Sequence, residues 1–255
     1  MPRTSEDTGV LLFAFTCGHI TLPTSFFLDG EEGKTKVPAA VFLIDHPKGL
    51  AVFDTGFNDR YVGMETGLGK IVDVPDGETI DQRLRDYGVD PADIKWIINS
   101  HLHLDHAGGN ALLPDATVIV QEKEWDYRNV GEDSAYNADD FDTGQPVKRI
   151  TGEHDLFGDG SVIIFPTPGH TPGHQSAKVK TLGGEAILAA DCCNMRRSLD
   201  EMHLPDHCFN IAQYRNSLEL LARERSSGAT IFFGHDPEFW AGVPQSERLD
   251  LRGLR

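Results

Sequence analysis

Three imidazoles and a carboxylate fall within six consecutive positions, at His101, His103, Asp105 and His106. Imidazole nitrogen and carboxylate oxygen are the donors that suit zinc and other borderline divalent cations. The cluster follows Ile94-Lys95-Trp96-Ile97-Ile98, an apolar run that reads as a buried strand, so it starts where a strand passes into a loop. Side chains alternate in extended backbone, which sends His101, His103 and Asp105 to one side and Leu102 and Leu104 into the core. His106 has the opposite parity and joins the others only if the chain turns. Ala107-Gly108-Gly109-Asn110 is expected to supply that turn, the glycines being free to adopt conformations closed to other residues. A histidine tag would be terminal and would lack the interleaved leucines; this stretch is internal.

More residues of the same type stand at expected strand ends. Ser161 to Phe165 reads as a strand running into Thr167-Pro168-Gly169-His170-Thr171-Pro172-Gly173-His174, where prolines and glycines fix a tight loop that presents His170. Ala186 to Ala190 ends in Asp191, and the buried strand Thr230 to Phe233 runs into Gly234-His235-Asp236. One tetrahedral ion takes about four ligands, so this set is too large for one and fits two. His101, His103 and His170 are assigned to the first ion and Asp105, His106 and His235 to the second, with Asp191 as a bridging carboxylate.

The remaining elements are expected to position these groups. Val10 to Cys17 reads as a first strand, with His19 just beyond it in a structural role, and Thr21 to Thr35 as an aromatic loop that packs down or lines a pocket. Pro38 to Ile44 and Leu50 to Phe53 are strands joined by the turn Asp45 to Gly49, and the hairpin ends in Asp54-Thr55-Gly56. Asp54 is either a plain turn aspartate or the hydrogen-bond partner of a metal-bound histidine. Phe57 to Asp76 is a long excursion without periodicity, of the kind that forms lids or binding loops. Helices are expected at Thr79 to Tyr87, stopped by Gly88, at Ala107 to Leu113, and at Glu122 to Arg128; strands are expected at Ala116 to Val120, Val147 to Ile150 and His174 to Ala177. Tyr127 to Thr143 is acidic and turn-rich. Asn210 to Arg225 is the best helix, with an apolar stripe of Ile211, Tyr214, Leu218 and Leu221. The order strands, helix, strands, helix runs twice. This predicts two β-rich halves in one domain spanning 1–255, with helices outside and the strand-end loops at one edge.

Composition narrows the partners. A formal charge of −17, from 40 acidic against 23 basic residues, repels a nucleic-acid backbone, and the dense basic sites are confined to Arg196-Arg197 and the helix around Arg223 and Arg225. No apolar run approaches the roughly 20 residues that span a bilayer, so no membrane partner is expected. The start Met1 to Thr8 is polar, and the apolar run Val10 to Phe15 is short and lacks a basic flank and a cleavage site, so a cytoplasmic protein is expected. Cys17, Cys192, Cys193 and Cys208 show no disulfide spacing, and Cys192 and Cys193 read as buried packing. His174 is read as structural or as supporting a ligand. His154, His203 and His207 are read as surface residues, and Met202 to Phe209 as a border of the pocket.

On Asp54-Thr55-Gly56, His101 through Gly109, Thr167 through His174, Asp191 and Gly234-His235-Asp236, the chain resembles the metallo-β-lactamase superfamily, whose signature is a HxHxDH loop followed by distant His, Asp and His. Within it, the sequence is most similar to the N-acyl homoserine lactonases, over about Val37 to Asp236. The resemblance implies an α/β fold, an αββα sandwich of two mixed β-sheets with helices on the outer faces and a dinuclear metal site between the sheets. It implies two divalent ions, zinc first, with iron, manganese and cobalt also suited to the ligands. The implied reaction is attack of a metal-bridging hydroxide on a small-molecule lactone, with Asp105 passing a proton to the departing ring oxygen. In one departure, lactonases of this group often carry a tyrosine three positions after the bridging aspartate, and here that residue is Asn194. Asn194 either takes part of the tyrosine's role toward the carbonyl, or the substrate differs, or it is a turn residue. An alternative is thioester hydrolysis of the glyoxalase type, but Ala241 to Arg255 is too short and mixed for a basic glutathione site. β-Lactam hydrolysis ranks lower, because the cysteine ligand is absent. A metal-binding module without hydrolytic activity is the alternative from another class; diiron relatives usually place a carboxylate where His103 stands. A homodimer, the acyl-chain preference and the loops at 21–35, 57–76 and 127–143 are left open.

Overall fold

Successive strand residues face opposite ways, and here both faces of the strands are buried. In the computed structural model, which describes residues 9–129 and 135–254, β1 (Leu11–Pro23), β2 (Lys34–His46) and β3 (Gly49–Phe53) send Leu12, Ala14, Phe42, Ile44, Ala51 and Phe53 into one core. The residues between them, among which are Leu11, Phe13, Phe15, Leu43 and Val52, enter a second core. Each such side chain stabilises the fold by roughly 1.5–3 kcal/mol through burial.

With β4 (Val72–Asp73), β5 (Ile94–Ile98), β6 (Thr117–Gln121) and β7 (Val147–Ile150), these strands make a seven-stranded sheet in the order β4-β1-β2-β3-β5-β6-β7. A five-stranded sheet is built from β8 (His154–Asp155), β9 (Val162–Pro166), β10 (Gln175–Thr181), β11 (Gly184–Leu188) and β12 (Thr230–Phe232), in the order β12-β11-β10-β9-β8. Both are mixed: β1, β2 and β3 pair antiparallel but β3, β5, β6 and β7 parallel, and β12 joins its antiparallel sheet as a parallel neighbour of β11. The first core fills the space between the sheets, where Phe42 meets Phe232 edge-on at 5.1 Å. The helices are α1 (Ile80–Tyr87), α2 (Leu104–Ala107), α3 (Glu122–Tyr127), α4 (Ala138–Phe141), α5 (Arg196–Asp200), α6 (Ile211–Ser226) and α7 (Pro237–Trp240). α1 inserts Ile80 and Leu84 into the outer core of the first sheet, and α6 lays Tyr214, Leu218 and Leu221 on the second. The architecture is the expected αββα sandwich.

Several boundaries differ from the sequence reading. β1 does not stop at Cys17: Gly18, at φ 94°, absorbs a register shift, and the strand runs on to Pro23 with His19 inside it opposite Pro38 and Asp73. The loop expected over Thr21 to Thr35 is therefore short, a 3₁₀ turn at Thr24–Phe26 and a bend. α6 starts one residue later than expected because Asn210 caps it, its Oδ1 accepting from Ala212 and Gln213 N–H at 3.1 and 3.0 Å. Ile211, just past that cap, leaves the stripe and is 49% exposed.

The excursion over Phe57 to Asp76 is tied down at β4 and at Arg60. In the acidic segment over Tyr127 to Thr143, residues 130–134 lie outside the described residues; the part beyond them forms α4. There the fully buried carboxylate of Asp140 pairs with the Arg60 guanidinium, which rests 4.9 Å over the Tyr61 ring. Burial pushes the Asp140 carboxyl up to about 6, against the pull of Arg60. A carboxyl raised on folding holds a proton where the unfolded chain has lost it, so folding weakens as pH rises through the window from 3.8 to about 6. Asp140→Asn is expected to remove this slope: in urea unfolding at pH 4 and pH 7, the parent should lose about 2–3 kcal/mol more than the variant over that interval. Equal losses would show that Asp140 does not titrate in this window.

Candidate metal centre

Asp54 closes β3 in the left-handed region, at φ 58°, and this aims its carboxylate at the start of the histidine cluster. Oδ1 accepts from Ser100 N–H at 2.7 Å and Oδ2 from Ser100 Oγ at 2.8 Å, while Oδ2 also lies 2.9 Å from His106 Nδ1. A carboxylate there holds the proton of His106 on Nδ1 and leaves Nε2 as a lone-pair donor facing the centre. His235 is fixed the same way, its Nδ1 donating to the carbonyl of Pro38 at 3.0 Å. Of the two readings of Asp54, the structure supports the histidine partner.

His103 precedes α2, whose first turn carries Asp105 and His106. The turn expected at Ala107 to Asn110 therefore comes earlier, and the helix expected over Ala107 to Leu113 splits into α2 and a 3₁₀ turn at Asn110–Leu112. Helical backbone replaces strand alternation from Leu104 onward, so Asp105 and His106 reach the centre from adjacent positions. Gly108 and Gly109 have ordinary φ values of −56° and −84°. They are needed for closeness instead: a Cβ on Gly108 would lie 2.3 Å from the Leu104 carbonyl, and one on Gly109 2.4 Å from that of Thr55. Leu102 and Leu104 are buried as expected.

The loop after β9 brings His170 across. Gly169, at φ 140°, presses on α6, where a Cβ would come within 2.2 Å of Tyr214 N. His170 Nε2 then lies 3.1 Å from His103 Nδ1 and 3.3 Å from Asp191 Oδ2. The other oxygen, Asp191 Oδ1, lies 3.0 Å from His106 Nε2 and 3.1 Å from His235 Nε2, and Asp105 Oδ2 is 3.6 Å from both of those nitrogens. The donor atoms fall into three groups, within each of which they lie no more than 4.8 Å apart: His101, His103 and His170; His101, His106 and Asp191; Asp105, His106 and His235. The expected residues meet in one place.

These groups fit divalent cations. His101 Nε2, His106 Nε2 and Asp191 Oδ1 are buried without hydrogen-bonding geometry to any protein group among the described residues, although His106 and Asp191 are only 3.0 Å apart. Buried donor atoms left without such a partner and lying within 4.8 Å of one another are groups that a cation would satisfy. Burial depresses His101 and takes His170 down to about 3, which keeps both imidazoles neutral and able to donate lone pairs. Burial opposes ionisation of Asp191, but His235, His106 and His170 around it hold its carboxyl below the usual range. For His106 and His235 the burial effect is outweighed by the surrounding carboxylates, which raise both. A cation here would replace that compensating proton.

His174 stands outside the donor groups: its Nδ1 is 2.9 Å from Thr167 Oγ1 and its ring is 5.3 Å from that of His101. Cys192 and Cys193 are buried in the core and their thiols are pushed up by burial, consistent with packing. All four cysteines are free. Asn194 is buried; its carbonyl accepts from His235 N–H at 2.8 Å and its Oδ1 has no partner among the described residues. His207 is exposed on the Phe26 ring, whereas His154 and His203 are half-buried, His203 within 2.7 Å of the Asp29 carbonyl. Phe27 is buried against His235. Between Asp29 and the segment Met202 to Ile211 opens a cavity of about 700 Å³, and Phe209 on its wall donates its N–H to the His170 carbonyl. No helix among the described residues is long and apolar enough to cross a membrane.

Sequence reasoning missed Ser100, Glu124 and Tyr136. Tyr136 sets its ring edge-on to His103 at 4.7 Å, and its hydroxyl donates to Glu124. Glu124 sits among Glu122, Lys123 and Asp126 and reads as one more exposed helix charge; it is fully buried.

Comparison with known proteins agrees with this geometry. The sequence pattern of the metallo-beta-lactamase superfamily matches residues 35–235. The N-acyl homoserine lactonase AttM of Agrobacterium fabrum is 33% identical over 234 residues, covering 85% of this chain and 89% of that one. AiiA of Bacillus thuringiensis subsp. kurstaki, also an N-acyl homoserine lactonase, is 29% identical over 215 residues, or 79% of this chain and 82% of that one. A solved N-acyl homoserine lactone hydrolase, with its product N-hexanoyl-L-homoserine at the catalytic metal centre, superposes with a TM-score of 0.86 at 26% identity, over 95% of this chain and 100% of that one. Fold, converging donors and sequence agree, and the chain belongs to the metallo-β-lactamase superfamily.

Proposed function

We propose that this protein is a metal-dependent hydrolase that opens N-acyl homoserine lactones over a two-ion centre. His101, His103 and His170 would hold one ion and Asp105, His106 and His235 the other, with Asp191 facing both sets. The observation that carries the reading is the placement of Asp191, with Oδ2 beside His170 and Oδ1 between His106 and His235. The ions, when bound, ionise water near neutral pH and polarise the lactone carbonyl. Asp105, less buried than His106 and His235, takes the proton released as water ionises and delivers it to the ring oxygen as its bond to the acyl carbon breaks. Water thus adds across the ester, and a hydroxy acid leaves. Asn194, buried and tied to His235 through its backbone carbonyl, would offer its amide N–H to the substrate carbonyl where related lactonases use a phenol. The acyl tail would enter the cavity between Asp29 and Met202 to Ile211 along its apolar wall of Met202, Leu204, Phe209 and Ile211, the polar Asp29, His203, Asp206 and Arg215 also lining it.

The test is a panel of acyl homoserine lactones with short and long tails, assayed beside a glutathione thioester before and after chelation. Lactone opening is expected, with loss on chelation, recovery on adding a divalent cation, and about two ions per chain. Turnover of the thioester alone, or lactone opening that survives chelation, would overturn the reading.

A further inference from the structure

Glu124 is a buried side chain that forms no ion pair among the described residues, and four donors from three different segments converge on it. Oε1 accepts from Leu102 N–H at 3.1 Å and from the Tyr136 hydroxyl at 2.6 Å. Oε2 accepts from the Thr171 hydroxyl at 2.6 Å and from Gly173 N–H at 3.1 Å. Leu102 is the residue between His101 and His103, Tyr136 packs on His103, and Thr171 and Gly173 follow His170. Every one of these bonds ends beside the first triad, and none reaches the residues that carry Asp105, His106 or His235. Gly173 lies so close that a Cβ there would sit 2.1 Å from Glu124 N. α3 and the His170 loop are in direct backbone contact.

We infer that Glu124 is a positioning residue for the ion held by His101, His103 and His170, and not for the other. This rests on the two-ion reading above. The physical ground is that Leu102 and Gly173 offer fixed backbone N–H donors, one to each carboxylate oxygen. A glutamine can present only one acceptor oxygen, so either orientation of its amide points an NH₂ at one of these donors. Asp54 and Pro38 do the corresponding work for the other triad, through His106 and His235.

The experiment is a titration of the metal-free full chain with Co²⁺ in competition with a chromogenic chelator, following the cobalt absorption bands. The parent is expected to take up two equivalents. Glu124→Gln should bind one of them as the parent does and the other roughly 10–100-fold more weakly, the usual cost of losing a group that orients a ligand. Asp54→Asn should weaken chiefly the opposite equivalent, through His106, and the first by a smaller factor, because Ser100 Oγ links Asp54 to His101 Nδ1 at 3.0 Å; the double variant should weaken both strongly. Because Glu124→Gln places an unmatched donor in the core, Tyr136→Phe and Thr171→Val, which each remove a single bond, serve as milder variants. They should weaken the same equivalent by a smaller factor. Folded single variants at Glu124, Tyr136 or Thr171 that bind both equivalents as tightly as the parent, or that lose both alike, would overturn the inference. A parent that binds fewer than two would overturn the two-ion reading itself, and the inference with it.

Discussion

Asp191→Ala is expected to lower kcat/KM for an acyl homoserine lactone roughly 10⁴-fold or more. The size follows from the water. Bringing its pKa from about 15.7 to about 7 corresponds to roughly 12 kcal/mol of preferential stabilisation of hydroxide, at about 1.36 kcal/mol per unit. Asp191 is the group whose two oxygens face both triads, so its loss leaves two incomplete sets of imidazoles around a shortened side chain. If even half of that stabilisation is lost, about 6 kcal/mol, the rate falls by about four orders of magnitude. The measurement is kcat/KM together with metal content. A variant that retains both ions and more than about a tenth of the activity would show that Asp191 does not join the two halves.

Asp105→Asn is expected to separate proton delivery from metal binding. Asparagine keeps an oxygen donor at Oδ1 but cannot release a proton, so kcat on an oxygen lactone should fall roughly 10²–10⁴-fold. On the matching thiolactone the loss should be much smaller. A thiol with a pKa near 8.5 leaves as its anion, whereas an alcohol, about as weak an acid as water, must be protonated as it departs. Equal losses on the two substrates, with metal content unchanged, would mean that Asp105 acts only by holding its ion.

The two expected results concern residues of very different legibility. Asp105 announces itself, because it sits between histidines in a run that has few other uses. Glu124 does not. Its neighbours Glu122, Lys123 and Asp126 give it the look of a solvated helix face, and only folding places Leu102, Tyr136, Thr171 and Gly173 around it. A buried polar group is defined by its surroundings, and a linear sequence does not contain them.

By itself the sequence determined which imidazoles and carboxylates to expect together and the layered α/β architecture; Asp191 it placed at a strand end, whereas β11 stops at Leu188 and Asp191 lies in the 3₁₀ turn Ala190–Cys192. Alternation and apolar runs are local consequences of backbone geometry, and the ligand types follow from the chemistry of their side chains. The tertiary structure decided how those donors are aimed. The bonds of Asp54 to Ser100 and His106 and the close approach of Gly108 and Gly109 to the loop after β3 join chain segments about fifty residues apart, and the N–H of Leu104 at the start of α2 is taken by the carbonyl of Ala135. Which nitrogen of His106 faces the centre is set by Asp54, and which nitrogen of His235 by Pro38. Orientation is a property of contacts between distant segments, so it exists only once the two sheets have closed on each other.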